Sequence, residues 1–100
     1  MKQRYVIIHV DGHLSSFVTD GFCPLKKMQE IVGGYIEHTR IRIDMKPYDV
    51  FVNEEGRLMP LEPNKRFNEL MGNILVGHVD VDGNFEGLAD HELMEVPLAY

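Results

Sequence analysis

The first hydrophobic run, Tyr5-Val6-Ile7-Ile8-His9-Val10, is apolar on both faces and rich in β-branched side chains, the pattern of a strand inside a sheet. Asp11-Gly12 supplies the positive φ angles of a two-residue hairpin turn, and Leu14 to Thr19 returns as a second strand ended by Asp20-Gly21. Pro24 suits the first position of a helix in which Leu25, Met28 and Val32 recur at i, i+3 and i+7, widened by Ile31. Lys26, Lys27 and Glu30 face away, and Gly33-Gly34 stops the helix where a left-handed cap belongs. In a third strand, over about 35–43, the alternation switches. Ile36 shares parity with Arg40 and Arg42, whereas Ile41 and Ile43 lie on the other, so a bulge or an edge position is expected. Pro47 precedes a fourth strand, Tyr48 to Val52; Asn53-Glu54-Glu55-Gly56 is a turn, from which a short strand returns over 57–59. Pro60 and Pro63 bracket a rigid loop, and Asn64 caps a helix of about 65–71 that Gly72 ends. Ile74 to Val81 reads as a strong strand, Asp82-Gly83 as a turn and Phe85 as the start of a short partner strand. Asp90 caps a last short helix that finishes before Pro97.

Strands outnumber helices without regular alternation, which predicts an α+β fold: a small, mostly antiparallel sheet of five to seven strands with two or three short helices. One domain over residues 1–100 suits this length, with Met28, Val32, Val50, Val52, Leu75 and Val79 in its core. Edge strands in so small a sheet predict a homodimer. The lone cysteine excludes an internal disulfide and a cysteine-based zinc cluster, and fits a reducing compartment. No apolar run approaches the ~18 residues of a spanning helix, and MKQRYVIIHVDGH lacks a signal-like core. The expectation is therefore a cytoplasmic protein without a membrane partner.

The net charge of −6 is unevenly distributed. Residues 1–46 carry seven Lys/Arg against five Asp/Glu, and residues 47–100 carry three against eleven. Such a chain repels phosphate backbones, so direct nucleic-acid binding is not expected. Asp80, Asp82, Glu86, Asp90, Glu92 and Glu95 form an acidic C-terminal stretch suited to a basic partner, or simply to solubility.

The run Met28-Gln29-Glu30-Ile31-Val32-Gly33-Gly34-Tyr35-Ile36-Glu37 resembles the signature of an uncharacterised domain family carried by phages, plasmids and other mobile elements. Val52-Asn53-Glu54-Glu55-Gly56-Arg57-Leu58, the Leu61-Pro63-Asn64 neighbourhood and Gly72-Asn73-Ile74-Leu75-Val76-Gly77 also resemble it. The likeness runs from the first strand to about residue 87 and leaves out the acidic stretch after Ala89. It implies a small accessory protein of a mobile element in a bacterial host cell, acting by binding a host factor or a signalling molecule. It supplies no catalytic residue and no cofactor.

Several residues invite chemistry. A two-residue turn sets Val10 opposite His13 and sends His9 and His13 to opposite sides of the ribbon. His91 and Glu95 echo half of a zinc-protease helix without its second histidine, so no metal site is expected. Cys23 precedes a helix N-terminus, where the dipole favours a thiolate, but a nucleophile also needs a histidine from elsewhere in the fold. The Asp80–Glu86 stretch lacks calcium-loop spacing and reads as a hairpin turn. Gly33-Gly34 lies at the wrong helix end for a phosphate.

Lys65 and Arg66 stand out because they fall in the first turn of the helix expected after Asn64, against its dipole. An anion docked there would reverse the sign of that cost, making Asn64, Lys65 and Arg66, joined by Arg40 and Arg42, a candidate anion site; otherwise the two cations neutralise Glu54, Glu55 or Glu62. Three functions follow. The first is a non-catalytic accessory protein acting in counter-defence or host takeover by binding a host protein. The second is a sequestering protein for a phosphorylated nucleotide. The third, a small enzyme, has no nucleophile–base pair behind it.

Overall fold

The computed structural model describes residues 1–56, 58, 59 and 61–98, with backbone alone at 97 and 98. Its elements are β1 (Lys2–Ile8), β2 (Leu14–Asp20), α1 (Leu25–Val32), β3 (Ile36–Ile43), β4 (Lys46–Asn53), β5 (Ile74–Val79), β6 (Phe85–Glu86) and α2 (Asp90–Leu98). The strands form one six-stranded sheet in the order β2-β1-β5-β4-β3, with β6 against β5. Every pairing is antiparallel, so six strands and two helices give the expected α+β fold.

Strand periodicity sorts the apolar residues into two cores, one on each face. Tyr5, Leu75 and Phe85 pack with Met28 of α1 on the first face. Val6, Ile8, Ile41, Ile43, Tyr48, Val50, Val52, Ile74 and Val76 line the second, where Phe67, Leu88 and Val96 cover them. Burial of β1 on both sides makes it the interior strand its sequence indicates. Of the expected core, Met28, Val32, Val50, Val52 and Leu75 are buried, whereas Val79 is only half-buried. The switch in β3 belongs to an edge strand, because its register with β4 is unbroken from Ile36↔Asn53 to Ile43↔Lys46. Ile36 joins the α1 face, and Ile41 and Ile43 join the other.

Local details differ from the sequence pattern. The β1–β2 loop has three residues, since His9 N–H donates to His13 O and Ile8 pairs with Leu14. A turn closed by Gly12 N–H to His9 O, with Gly12 at φ +94°, inserts that extra residue. His9 and His13 therefore face each other, with rings stacked at 3.9 Å, instead of diverging. β3 and β4 are joined by a two-residue turn at Asp44 and Met45, both at positive φ. Residues 65–70 form bends and turns and Met71 bridges to Pro63, instead of a helix, because the Asn64 side chain ties the loop to β1 (see below). Leu58 and Met59 lie in turns, while residues 57 and 60 of the expected strand and loop lie outside the described residues. α2 continues through Pro97 to Leu98 instead of finishing before it.

Where β1 parts from β5, β6 and the chain after it fill the gap: Tyr5 OH donates to Phe85 O at 2.6 Å and Leu88 N–H to Arg4 O at 2.7 Å. Gly77 permits this approach. A methyl on it would sit 2.5 Å from Glu86 O and 2.6 Å from the Phe85 ring. Gly77→Ala should therefore cost about 2–3 kcal/mol in thermal unfolding. A loss within 0.5 kcal/mol or so would mean that β6 shifts freely.

Candidate functional site

One end of the sheet gathers the end of α1, the turn after β4, the loop around Asn64 and the start of β5, and three asparagines bind them together. A helix leaves its last carbonyls without intrahelical partners. In α1 the Ile31 carbonyl accepts from Asn73 Nδ2 at 3.1 Å and the Val32 carbonyl from Asn53 Nδ2 at 3.2 Å. Asn53 Oδ1 accepts from Glu55 N–H, and Asn73 Oδ1 from Val10 N–H. Gly34 lets the chain pass Asn53, since a Cβ there would lie 2.9 Å from Asn53 Nδ2. Asn64, fully buried, donates to Ile8 O, His9 O and Gly72 O and accepts from Arg66 N–H and Phe67 N–H.

Beside this clamp lies a cleft of about 340 Å³ on the second face, lined by Glu37 and Thr39 of β3, Val52 of β4, and Glu54, Glu69 and Leu70. Its floor is apolar and its rim acidic; no Lys or Arg among the described residues lines it. Glu37 and Glu54 are exposed, and neither carboxylate has an ion-pair partner among the described residues. The exposed carboxylates of Glu37 and Glu54 at its rim favour a cation over a phosphate. Nothing local in the sequence marks it, because its walls come from segments far apart in the chain.

The five residues expected to hold an anion do not gather there or anywhere else. Asn64 spends its side chain on backbone groups, and Lys65 N–H donates to Val10 O. Arg66 donates through Nε to Gly12 O and so braces the β1–β2 loop. Arg40 pairs with Asp49 at 3.1 Å, and Arg42 donates to Met45 O. Arg40 stands level with Asp49 and Gly77, whereas Asn64 lies at the Ile8–Ile74 end of β5 and three strands inward from β3. With no helix starting at Asn64, the anion site loses the N–H groups it was built on.

The Asp49 carboxylate, buried on the α1 face, also accepts from His38 Nε2 and Val79 N–H. Burial would raise its pKa, but these hydrogen bonds and Arg40 together hold it below the usual range. Burial pushes the Cys23 thiol up, away from a reactive thiolate. Burial and the facing His13 ring lower His9. No group of three or more His, Cys, Asp or Glu among the described residues is placed to hold a metal ion.

Residues 1–97 match the model of a domain family described as a domain of unknown function, DUF3846. The chain belongs to this family. No curated protein and no solved structure matches it. The DUF3846 match takes in most of the acidic segment after Ala89, beyond the stretch that carries the resemblance, and the packing agrees: Val96 and Leu93 of α2 sit in the second core.

That packing also revises the acidic surface expected from Asp80, Asp82, Glu86, Asp90, Glu92 and Glu95. Glu92 is buried, with Lys46 Nζ at 2.6 Å and His78 Nε2 at 2.7 Å on one oxygen and Ala89 N–H on the other. Burial alone would raise its pKa, but these partners outweigh it and hold it at about 2. Burial, with Glu92 and Glu95 nearby, pushes Tyr48 up to about 12. Glu95 lies within 3.4 Å of the Tyr48 hydroxyl. Asp80 folds into its own turn, accepting from Asn84 N–H and Asp82 N–H, which keep its carboxyl below the usual range. Glu86 is half-buried on β6, leaving Asp82 and Asp90 as the exposed members. No helix among the described residues is long and apolar enough to cross a membrane.

Proposed function

We propose that this domain is a non-catalytic binding protein, serving a phage or other mobile element in counter-defence or host takeover by contact with a basic protein in the cytoplasm of a bacterial host. The observation that carries the reading is the cleft beside β3, where the carboxylates of Glu37 and Glu54, without an ion-pair partner among the described residues, stand over the apolar floor of Val52 and Leu70. A lysine or arginine stem fills such a floor while its charge meets the rim. The mobile-element setting comes from the family resemblance described above.

Sequestration of a phosphorylated nucleotide is the weaker reading, since Asn64, Arg40 and Arg42 are engaged within the fold and the cleft is acidic. The test is affinity capture from bacterial host lysate with the wild-type domain and with the Glu37→Lys/Glu54→Lys variant. Wild type should retain a basic protein that is released at about 1 M salt, where screening reaches within roughly 3 Å, and the variant should not. Equal capture by both overturns the reading.

A further inference from the structure

We infer that the partner, on the binding reading above, seats by adding an extended strand to the outer edge of β3 and lowering a basic side chain into the acidic cleft. β3 ends the sheet, and among the described residues its only neighbour is β4. Arg42 stands opposite Pro47. Proline has no N–H to give, so this is a non-hydrogen-bonded pair, and alternation turns the N–H and C=O groups of Arg42, Arg40, His38 and Ile36 away from β4. The other parity continues inward, with Glu54 N–H donating to Tyr35 O at 2.8 Å just beyond the strand. A row of outward backbone groups is a template for one more strand, and residues 36–43 contain neither the proline nor the bulge that commonly blocks it.

Charge selects the occupant. Residues of the added strand opposite Glu37 and Thr39 would project over the cleft, at the closer spacing of non-hydrogen-bonded pairs. Glu37 and Glu54 then call for Lys or Arg at those positions. The intervening positions meet His38, Arg40 and Arg42 and call for neutral or acidic side chains. A second copy of this chain is a poor fit. Two-fold antiparallel pairing places residues of equal parity opposite one another, which would crowd His38, Arg40 and Arg42 of both copies onto one face. The homodimer expected from the sequence is thus disfavoured at this edge.

The test uses the whole domain and an end-blocked octapeptide with arginine at every second position and threonine between. Bound peptide should slow hydrogen exchange at the His38, Arg40 and Arg42 amides while leaving Glu37, Thr39 and Ile41 unchanged, as read by NMR. Glu37→Lys should weaken binding about tenfold. Arg42→Pro should abolish it, because that N–H has no partner in the sheet. A peptide with glutamate in place of arginine should not bind.

Absence of binding, equal binding of the glutamate peptide, or slowed exchange without the alternating pattern overturns strand addition. So does equal binding by a folded Arg42→Pro. Should that variant fail to fold, the alternating exchange and the exposed Glu37→Lys change decide without it. Charge-dependent capture from lysate without alternating exchange overturns strand addition alone; capture indifferent to Glu37 and Glu54 overturns both readings.

Discussion

Replacing Asn64 with alanine should destabilise the domain by about 3–4 kcal/mol, by loss of several buried hydrogen bonds at once. The melting temperature should fall by about 12 °C or more. One side chain serves five backbone groups: the carbonyls of Ile8, His9 and Gly72, and the amides of Arg66 and Phe67. Alanine leaves these groups facing a small void, and only those near the loop surface regain water. Asn64→Asp separates hydrogen bonding from packing. It keeps the acceptor for Arg66 and Phe67, but it sets a second oxygen, and a buried charge, against three carbonyl oxygens. Aspartate should therefore be worse than alanine despite its nearly identical shape. Thermal unfolding of both variants gives the answer, and an aspartate variant more stable than the alanine one would refute the account.

Acid should loosen α2 through Glu92. Its ordinary pKa of 4.5 is held at about 2 in the folded protein, with Lys46, Ala89 N–H and His78 as its partners. A carboxyl depressed on folding contributes stability that is complete above the unfolded value and is lost as pH falls through the folded one. About 3 kcal/mol should thus disappear between roughly pH 4.5 and pH 2. Asp49, also depressed, acts in the same direction. Urea midpoints measured across that range should fall steeply for wild type. Glu92→Gln should start about 2 kcal/mol lower at neutral pH and follow a flatter curve. An unchanged slope would place the acid sensitivity elsewhere, with Asp49 the next group to test.

How much was legible follows from how local each signal is. α1 was, because Pro24, the Met28–Val32 spacing and a left-handed Gly33 act within a few residues, and Gly33 indeed caps it at φ +82°. The edge position of β3 was half-legible, as a parity switch whose meaning depends on which layer covers which end. Residues 65–71 read as a helix because asparagine followed by a glycine eight residues later is what a short capped helix offers. The partners that decide otherwise, Ile8 and His9, come from the other end of the chain. One extra residue in the β1–β2 loop reversed the relation of His9 and His13, and local sequence fixes loop length poorly. Glu92 looked like part of a solvated acidic run because its partners, Lys46 and His78, stand on two different strands. The cleft had no signal at all.

The strand order has a consequence for the newly made chain. β5 is the middle strand, yet it follows both hairpins in the chain; it pairs residues 74–76 with residues 6–8 on one side and residues 75–77 with residues 49–51 on the other. The β1–β2 and β3–β4 hairpins can form as soon as their turns emerge, but no strand pairing among the described residues joins them until β5 inserts. Closing contacts over so long a separation is slow. Two hairpins with open inner edges must therefore wait until residues 74–79 emerge, a sticky intermediate whose lifetime is set by the arrival of one six-residue strand.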